Sequence, residues 1–161
     1  MKLSKELLET IVYTSKAVSN NISTFSMSCV RVSFNNEGRA TVVATDGHIL
    51  SETTLETLNE VKGIEYIAFN KEDVNRLKGL LKNCKYAKEF DLERKEDKYL
   101  LGSTHDTILL SNPEVDFPKY ESVIRVRSPG PVKMVTLNME LLKKLTDSLG
   151  KTHKRADPVI T

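Results

Sequence analysis

Phe69-Asn70-Lys71-Glu72-Asp73-Val74 decides the fold, because the same short pattern stands at three places in the chain. Leu3-Ser4-Lys5-Glu6-Leu7-Leu8 begins 66 residues before it, and Leu137-Asn138-Met139-Glu140-Leu141-Leu142 begins 68 residues after it. Each copy opens on an apolar residue suited to end a strand. A Ser or Asn follows, whose short polar side chain can accept from the orphan N–H groups of a helix start. An acid then falls in the first turn, where the helix dipole favours negative charge. Strand, cap and helix are therefore predicted three times.

The helix after each copy has one apolar face. Leu7, Leu8, Ile11 and Val12 form it on the first, Val74, Leu77 and Leu81 on the second, and Leu141, Leu142, Leu145 and Leu149 on the third, which should stop at Gly150. After the first helix the period changes to two. Val30, Val32 and Phe34 alternate with polar residues, Asn35-Asn36-Glu37-Gly38 supplies a turn, and 40–44 gives a second β-rich run, which together predict a hairpin. After the second helix come the runs 89–93, 99–101 and 107–110, separated by the charged turn Arg94-Lys95-Glu96-Asp97 and by Gly102-Ser103-Thr104-His105-Asp106. The order β-α-β-β-β, twice, predicts an α+β fold in which two equivalent halves pair their sheets, with helices packed on one side. The third copy has a strand near 132–137 and a helix, then only Pro158-Val159-Ile160-Thr161. It cannot complete a core alone, so either sequence is missing or the piece packs against something else.

A chain of 161 residues with 39% hydrophobic content is long enough to bury a real core. Its apolar runs, such as Ile108-Leu109-Leu110, fall far short of the ~20 residues of a membrane span. Met1-Lys2-Leu3-Ser4-Lys5-Glu6 leads into a polar helical pattern without the apolar core of a secretion signal, so a cytoplasmic protein is expected. Cys29 and Cys84 stand far apart with no CxxC partner, which points to reduced thiols and away from a disulfide framework or zinc knuckle. The net charge is only +2, but residues 125–161 hold eight Lys/Arg against three acids, which leaves the rest of the chain at −3. Local stripes matter more than that total.

The most distinctive local sequence is Ala44-Thr45-Asp46-Gly47-His48-Ile49-Leu50, directly after a β-rich run. Asp46, His48 and Ser51 have the residue types of a small hydrolase, but a nucleophile, its base and an orienting acid rarely converge from one tight turn. A metal site is no better supported, because His105 and His153 have no ligand-like spacing with His48. The plain reading is a turn, with Gly47 in a left-handed conformation and Asp46 bonding the neighbouring backbone.

Thr45-Asp46-Gly47-His48, followed some seventy residues later by Phe117-Pro118-Lys119-Tyr120-Glu121-Ser122-Val123-Ile124, resembles the middle domain of the bacterial sliding clamp, the β subunit of DNA polymerase III. The two motifs have that family's order and spacing and fall in the expected halves of the duplicated unit. The resemblance covers 1–125 as a middle-type domain and 126–161 as the first strand and helix of a third domain. It implies the DNA clamp fold: head-to-tail rings of similar domains, with helices lining a hole for duplex DNA and sheets forming the outer wall. It implies processivity without catalysis, no cofactor and no metal. Expected partners are duplex DNA bound without sequence preference, and DNA polymerase, clamp loader and repair proteins that dock a short, partly hydrophobic peptide. Carried over by position, the peptide pocket comprises Thr45, Gly47, His48, Leu50, Pro118 and Val123, with Met27 added across a one-residue gap. Leu50, Pro118, Val123 and Met27 would supply apolar walls, Gly47 close approach to the backbone, and His48 a flat side with a polar edge. Phe117 is expected to be a turn and core anchor. The chain departs from the family at Ile49, where Arg is frequent, at Glu121 and Ser122, where a basic residue is common, and at Cys29, where a small residue such as Gly is usual. The family's ring closes through the first and third domains, which bears on whether this chain forms a homo-oligomeric ring.

On the second helix Lys71, Asn75, Lys78 and Lys82 fall at i, i+4, i+7 and i+11, opposite Val74, Leu77 and Leu81. A solvated surface is the ordinary meaning of such a stripe. In a clamp it would face DNA, contacting phosphates without reading bases. Lys16, Lys143, Lys144 and Lys151 are weaker candidates, because Glu9 and Asp147 interrupt their faces. The rival readings are a shortened phage- or plasmid-type clamp-like module that binds clamp partners without encircling DNA, and a small hydrolase using His48.

Overall fold

The computed structural model describes residues 1–20, 26–58, 63–121 and 139–149. The first unit comprises β1 (Lys2–Ser4), α1 (Lys5–Thr14) with a 3-10 turn (Ser15–Ala17), β2 (Val30–Phe34), β3 (Arg39–Thr45) and β4 (Leu50–Glu56). The second comprises β5 (Tyr66–Phe69), α2 (Lys71–Asn83), β6 (Glu89–Lys95), β7 (Lys98–Gly102) and β8 (Thr107–Leu110). A last helix, α3 (Met139–Leu149), follows. The order is the predicted one. Two of the three predicted caps lie among the described residues, and both are made: Ser4 Oγ accepts from Leu7 N at 3.1 Å and Asn70 Oδ1 from Asp73 N at 2.9 Å.

The described strands form two antiparallel four-stranded sheets, β1-β6-β7-β8 and β4-β3-β2-β5. Each sheet therefore takes its short edge strand from the other unit. The exchange is symmetric in detail. Leu3 lies opposite Phe90, and Phe69, the residue equivalent to Leu3 in the repeat, lies opposite Val30. The halves are joined by these exchanged strands, and the expected pairing of sheets takes this form. Gly102, at the end of β7, is fixed by sterics: a Cβ there would lie 2.5 Å from Thr107 Oγ1 and 2.7 Å from the Asp106 carbonyl.

One core joins both units. It contains Leu7, Leu8 and Ile11 of α1, Val74, Leu77 and Leu80 of α2, and the strand residues that face the helices, including Val30, Val32, Ala40, Val42, Ala44, Phe69, Phe90, Leu92 and Leu101. Leu80 takes the deep position on α2, with Leu81 and Val12 half-buried against the cluster. Cys29 and Cys84 are buried free thiols, and burial pushes the Cys29 thiol up. The charged residues of the 88–98 stretch lie exposed on a hairpin, as predicted, while Phe90 and Leu92 of the same strand turn into the core.

Helix α3 packs against α1, the 3-10 turn and β4 of the first unit. Of its apolar face, Leu141, Leu142 and Leu145 are half-buried. The predicted strand near 132–137, Asn138, the side chain of Leu149, the stop at Gly150 and the 158–161 segment lie outside the described residues. No described helix is long and apolar enough to cross a membrane.

Candidate docking loop and helix stripe

The turn between β3 and β4 is built by its own side chains. Thr45 and Leu50 are the last register pair of the two strands. Thr45 Oγ1 donates to the Ile49 carbonyl at 2.6 Å and accepts from Gly47 N at 3.1 Å. Asp46 Oδ1 accepts from His48 N and Ile49 N, both at 2.9 Å. Gly47 takes φ +89°, a left-handed conformation open to glycine at little cost. Its missing side chain also leaves room for a neighbour, since a Cβ would stand 3.5 Å from Met27 Sδ. Met27 itself is held by Ser19 N, which donates to its carbonyl at 2.8 Å. His48 is exposed at the tip.

The other Asp46 oxygen is committed as well. Lys144 Nζ on α3 donates to Asp46 Oδ2 and, at 3.1 Å, to the Val18 carbonyl. Burial pushes the Asp46 carboxyl up, but the hydrogen bonds from Lys144, Ile49 and His48 outweigh it and hold the group below the ordinary carboxylate value. Lys144 was expected as a weak candidate for a DNA-facing surface. It is instead a contact of the loop. Sequence spacing carries no sign of this pairing, because 98 residues separate the partners.

A strap formed by 111–121 crosses the sheet face that points away from the helices. It is fastened at its start, where Ser111 N and Oγ donate to the buried Asp73 carboxylate at 3.1 and 2.6 Å and Asn112 Oδ1 accepts from Ala68 N at 3.0 Å. Glu52, Val43, Arg31 and Ala68 form one row across that face by strand register. Tyr120 lies near Glu52 and Arg31, whose guanidinium sits 4.7 Å from the centre of the Tyr66 ring. Burial first, and then the Glu52 carboxylate, pushes the Tyr120 phenol up to about 12. Phe117 meets Tyr120 edge to face with centroids 6.0 Å apart, and it is buried outside the main core, as an anchor of the strap. The strap also explains why Val43, on the face opposite the core, is only 1% exposed.

These contacts bring two of the predicted motifs to one face. Leu50 and Thr45 lie in the next row on the same face as Glu52 and Val43, and Tyr120 lies near Glu52. Leu50 and Pro118 are half-buried, Met27 abuts Gly47, and His48 is exposed beside them on the turn. Val123 lies outside the described residues. Tyr120 and Glu52 were given no role by sequence reasoning, although Tyr120 stood inside the quoted motif, and Lys144 was given only a weak DNA-facing one.

The arrangement does not assemble a hydrolase. Ser51 is buried, lies opposite the core residue Ala44, and has an Oγ without a hydrogen-bond partner, whereas His48 is exposed and Asp46 is occupied by the backbone and Lys144. Among the described residues no group of three or more His, Cys, Asp or Glu could hold a metal ion.

On α2 the four stripe residues Lys71, Asn75, Lys78 and Lys82 are all exposed. Arg76 is turned to the side, where it pairs with Glu72 at 3.6 Å and Asp73 at 3.5 Å and donates to the Leu109 carbonyl at 3.0 Å. Lys16 is exposed with its ammonium 5.4 Å from the centre of the Tyr13 ring, and Lys143 is exposed on α3. Lys151 and His153 lie outside the described residues.

No protein-family model matches the chain, and no curated protein matches it in sequence. Solved structures do match. The chain is similar to the DNA polymerase III subunit β of Pseudomonas aeruginosa, with TM-score 0.68 and 20% identity over 81% of this chain and 35% of that one. It is similar to the DNA polymerase III β subunit of Thermotoga maritima, with TM-score 0.62 and 17% identity over 77% of this chain and 33% of that one. The sliding clamp of Bartonella birtlesii, in a structure bound to griselimycin, matches with TM-score 0.65 and 20% identity over 76% and 34%. The chain spans about a third of the length of these clamps. At such identities the likeness is one of fold, and the fold is that of the sliding clamp.

Proposed function

We propose that the chain serves as a sliding-clamp element, a processivity factor without catalysis. In this reading residues 1–125 form a middle-type clamp domain and 126–161 begin the next one. As part of a ring it encircles duplex DNA, and it tethers DNA polymerase, clamp loader and repair proteins by docking their short, partly hydrophobic peptides. The reading is carried by the shared face on which Thr45 and Leu50 lie one row from Glu52, the neighbour of Tyr120 on the strap, with Gly47 open beside Met27. A site of this kind has apolar walls, a bare stretch of backbone and one exposed amphipathic ring, which suits a peptide and asks nothing of a nucleophile. Val123 is proposed as a further wall. The exposed stripe of Lys71, Asn75, Lys78 and Lys82 supports a DNA-facing role for α2, because ammonium and amide groups bind phosphates without selecting a base sequence.

The docking site is tested by titrating a fluorescein-labelled clamp-binding peptide from a polymerase against the native chain and its His48→Ala variant, read by fluorescence anisotropy. His48 is exposed, so the variant should keep its thermal stability while its Kd rises about tenfold, the loss of one contact worth about 1.4 kcal/mol. A native chain that fails to bind the peptide at any concentration reached, or a His48→Ala variant that binds equally well, defeats the docking site.

A further inference from the structure

We propose that α3 is a working part of the docking site, with Lys144 as the positioning residue that holds the Thr45–His48 turn in its peptide-receiving shape. The inference rests on the docking reading and adds to it a residue outside both motifs.

A single ammonium closes a chain of contacts around Gly47. Lys144 binds the Asp46 carboxylate and, at 3.1 Å, the Val18 carbonyl. The next residue, Ser19, donates to the Met27 carbonyl at 2.8 Å, and Met27 Sδ lies against the bare face of Gly47. The remaining Asp46 oxygen holds the amides of His48 and Ile49. The carboxylate is thus a hinge pin with α3 on one oxygen and the tip of the loop on the other. The pair is well shielded, with side-chain exposures of 27% for Lys144 and 10% for Asp46, so salt screens it less than a surface pair. Removing Lys144 leaves a largely buried carboxylate without its counter-charge. That oxygen must then find water, and turning it outward draws the other oxygen off the His48 and Ile49 amides. The loop's shape thereby depends on whether α3 is docked.

The full chain is compared as native, Lys144→Ala, Lys144→Arg, Asp46→Asn and the Lys144→Ala/Asp46→Asn double variant, with His48→Ala as reference. The probe is the labelled clamp-binding peptide, and hydrogen exchange at the His48 and Ile49 amides is followed without peptide. Asp46→Asn keeps an oxygen for those two amides but can place an amide nitrogen where Lys144 donates. Lys144→Ala should raise the peptide Kd about tenfold and speed exchange at both amides, while leaving the β2–β3 ladder protected. Lys144→Arg should restore binding to within about threefold, and the double variant should bind no worse than either single one, because both remove the same contact. If the native chain binds the peptide and His48→Ala weakens it, yet Lys144→Ala and Asp46→Asn both bind as the native chain does, the docking site stands and the role of Lys144 is overturned. Unchanged exchange at His48 and Ile49 in Lys144→Ala overturns it even where peptide binding falls. Should Lys144→Ala fail to fold, Lys144→Arg and Asp46→Asn decide, and equal loss in both overturns the proposal. No peptide binding by the native chain overturns both claims together.

Discussion

Phe69→Ala is expected to lower the free energy of unfolding by about 3–5 kcal/mol, the cost of truncating a fully buried aromatic and leaving a cavity. Phe69 is 1% exposed, ends the strand that the second unit contributes to the other sheet, and directly precedes the N-cap of α2. Small domains hold about 5–15 kcal/mol in all, so one truncation would remove a large share of it. The equivalent position in the repeat, Leu3, faces Phe90 and is 2% exposed, and Leu3→Ala should cost about 2–5 kcal/mol by the same mechanism. Urea unfolding followed by far-UV circular dichroism and tyrosine fluorescence should give one transition in each variant, with the midpoint lowered and the slope unchanged. Two separate transitions, or a loss below about 1 kcal/mol for Phe69→Ala, would contradict a single core tied together by exchanged strands.

Replacing Lys71, Lys78 and Lys82 together by Gln should flatten the salt dependence of DNA binding. Each phosphate contact adds about 0.9 to the slope of log affinity against log salt, so three contacts account for about 2.7. Between about 50 and 200 mM salt that is a loss of about 40-fold in affinity, which the triple variant would no longer show. Lys88, Lys95 and Lys98 on the 88–98 hairpin are also exposed, and their triple replacement by Gln changes net charge equally while leaving α2 intact. The two triple variants are compared by anisotropy on a labelled duplex over a salt series. The α2 variant alone should lose slope. An equal change in both would mean that bulk charge, and not the stripe, meets the DNA.

Most of the fold was legible because its signals are local. Ser4 and Asn70 cap helices by bonds to residues three positions away, and the apolar faces of α1 and α2 repeat within two turns. Strand exchange was hidden, because alternation tells which side of a strand is buried and not which strand lies beside it. β4 was implied by the repeat but never located. Its core-facing positions include Ser51 and Thr53, both buried, so its hydrophobic alternation is lost. The turn at Asp46 and Gly47 was readable from residue type, since both make contacts within a few positions. What braces that turn and packs on the strands beside it was not. Tyr120 reaches Glu52 through tertiary packing of the strap, and Lys144 reaches Asp46 through the docking of α3. A loop assembled from three distant segments leaves no spacing rule in the chain.

The central claim is that a clamp-binding peptide docks beside the Thr45–His48 turn, and amide chemical shifts of the 15N-labelled chain during a peptide titration test it most directly. Saturable shifts are expected at Thr45, Gly47, His48, Leu50, Met27 and Tyr120, with the β6–β7 hairpin at 89–102 unmoved. Shifts centred on α2 or on that hairpin, or no saturable shift at all, would contradict it.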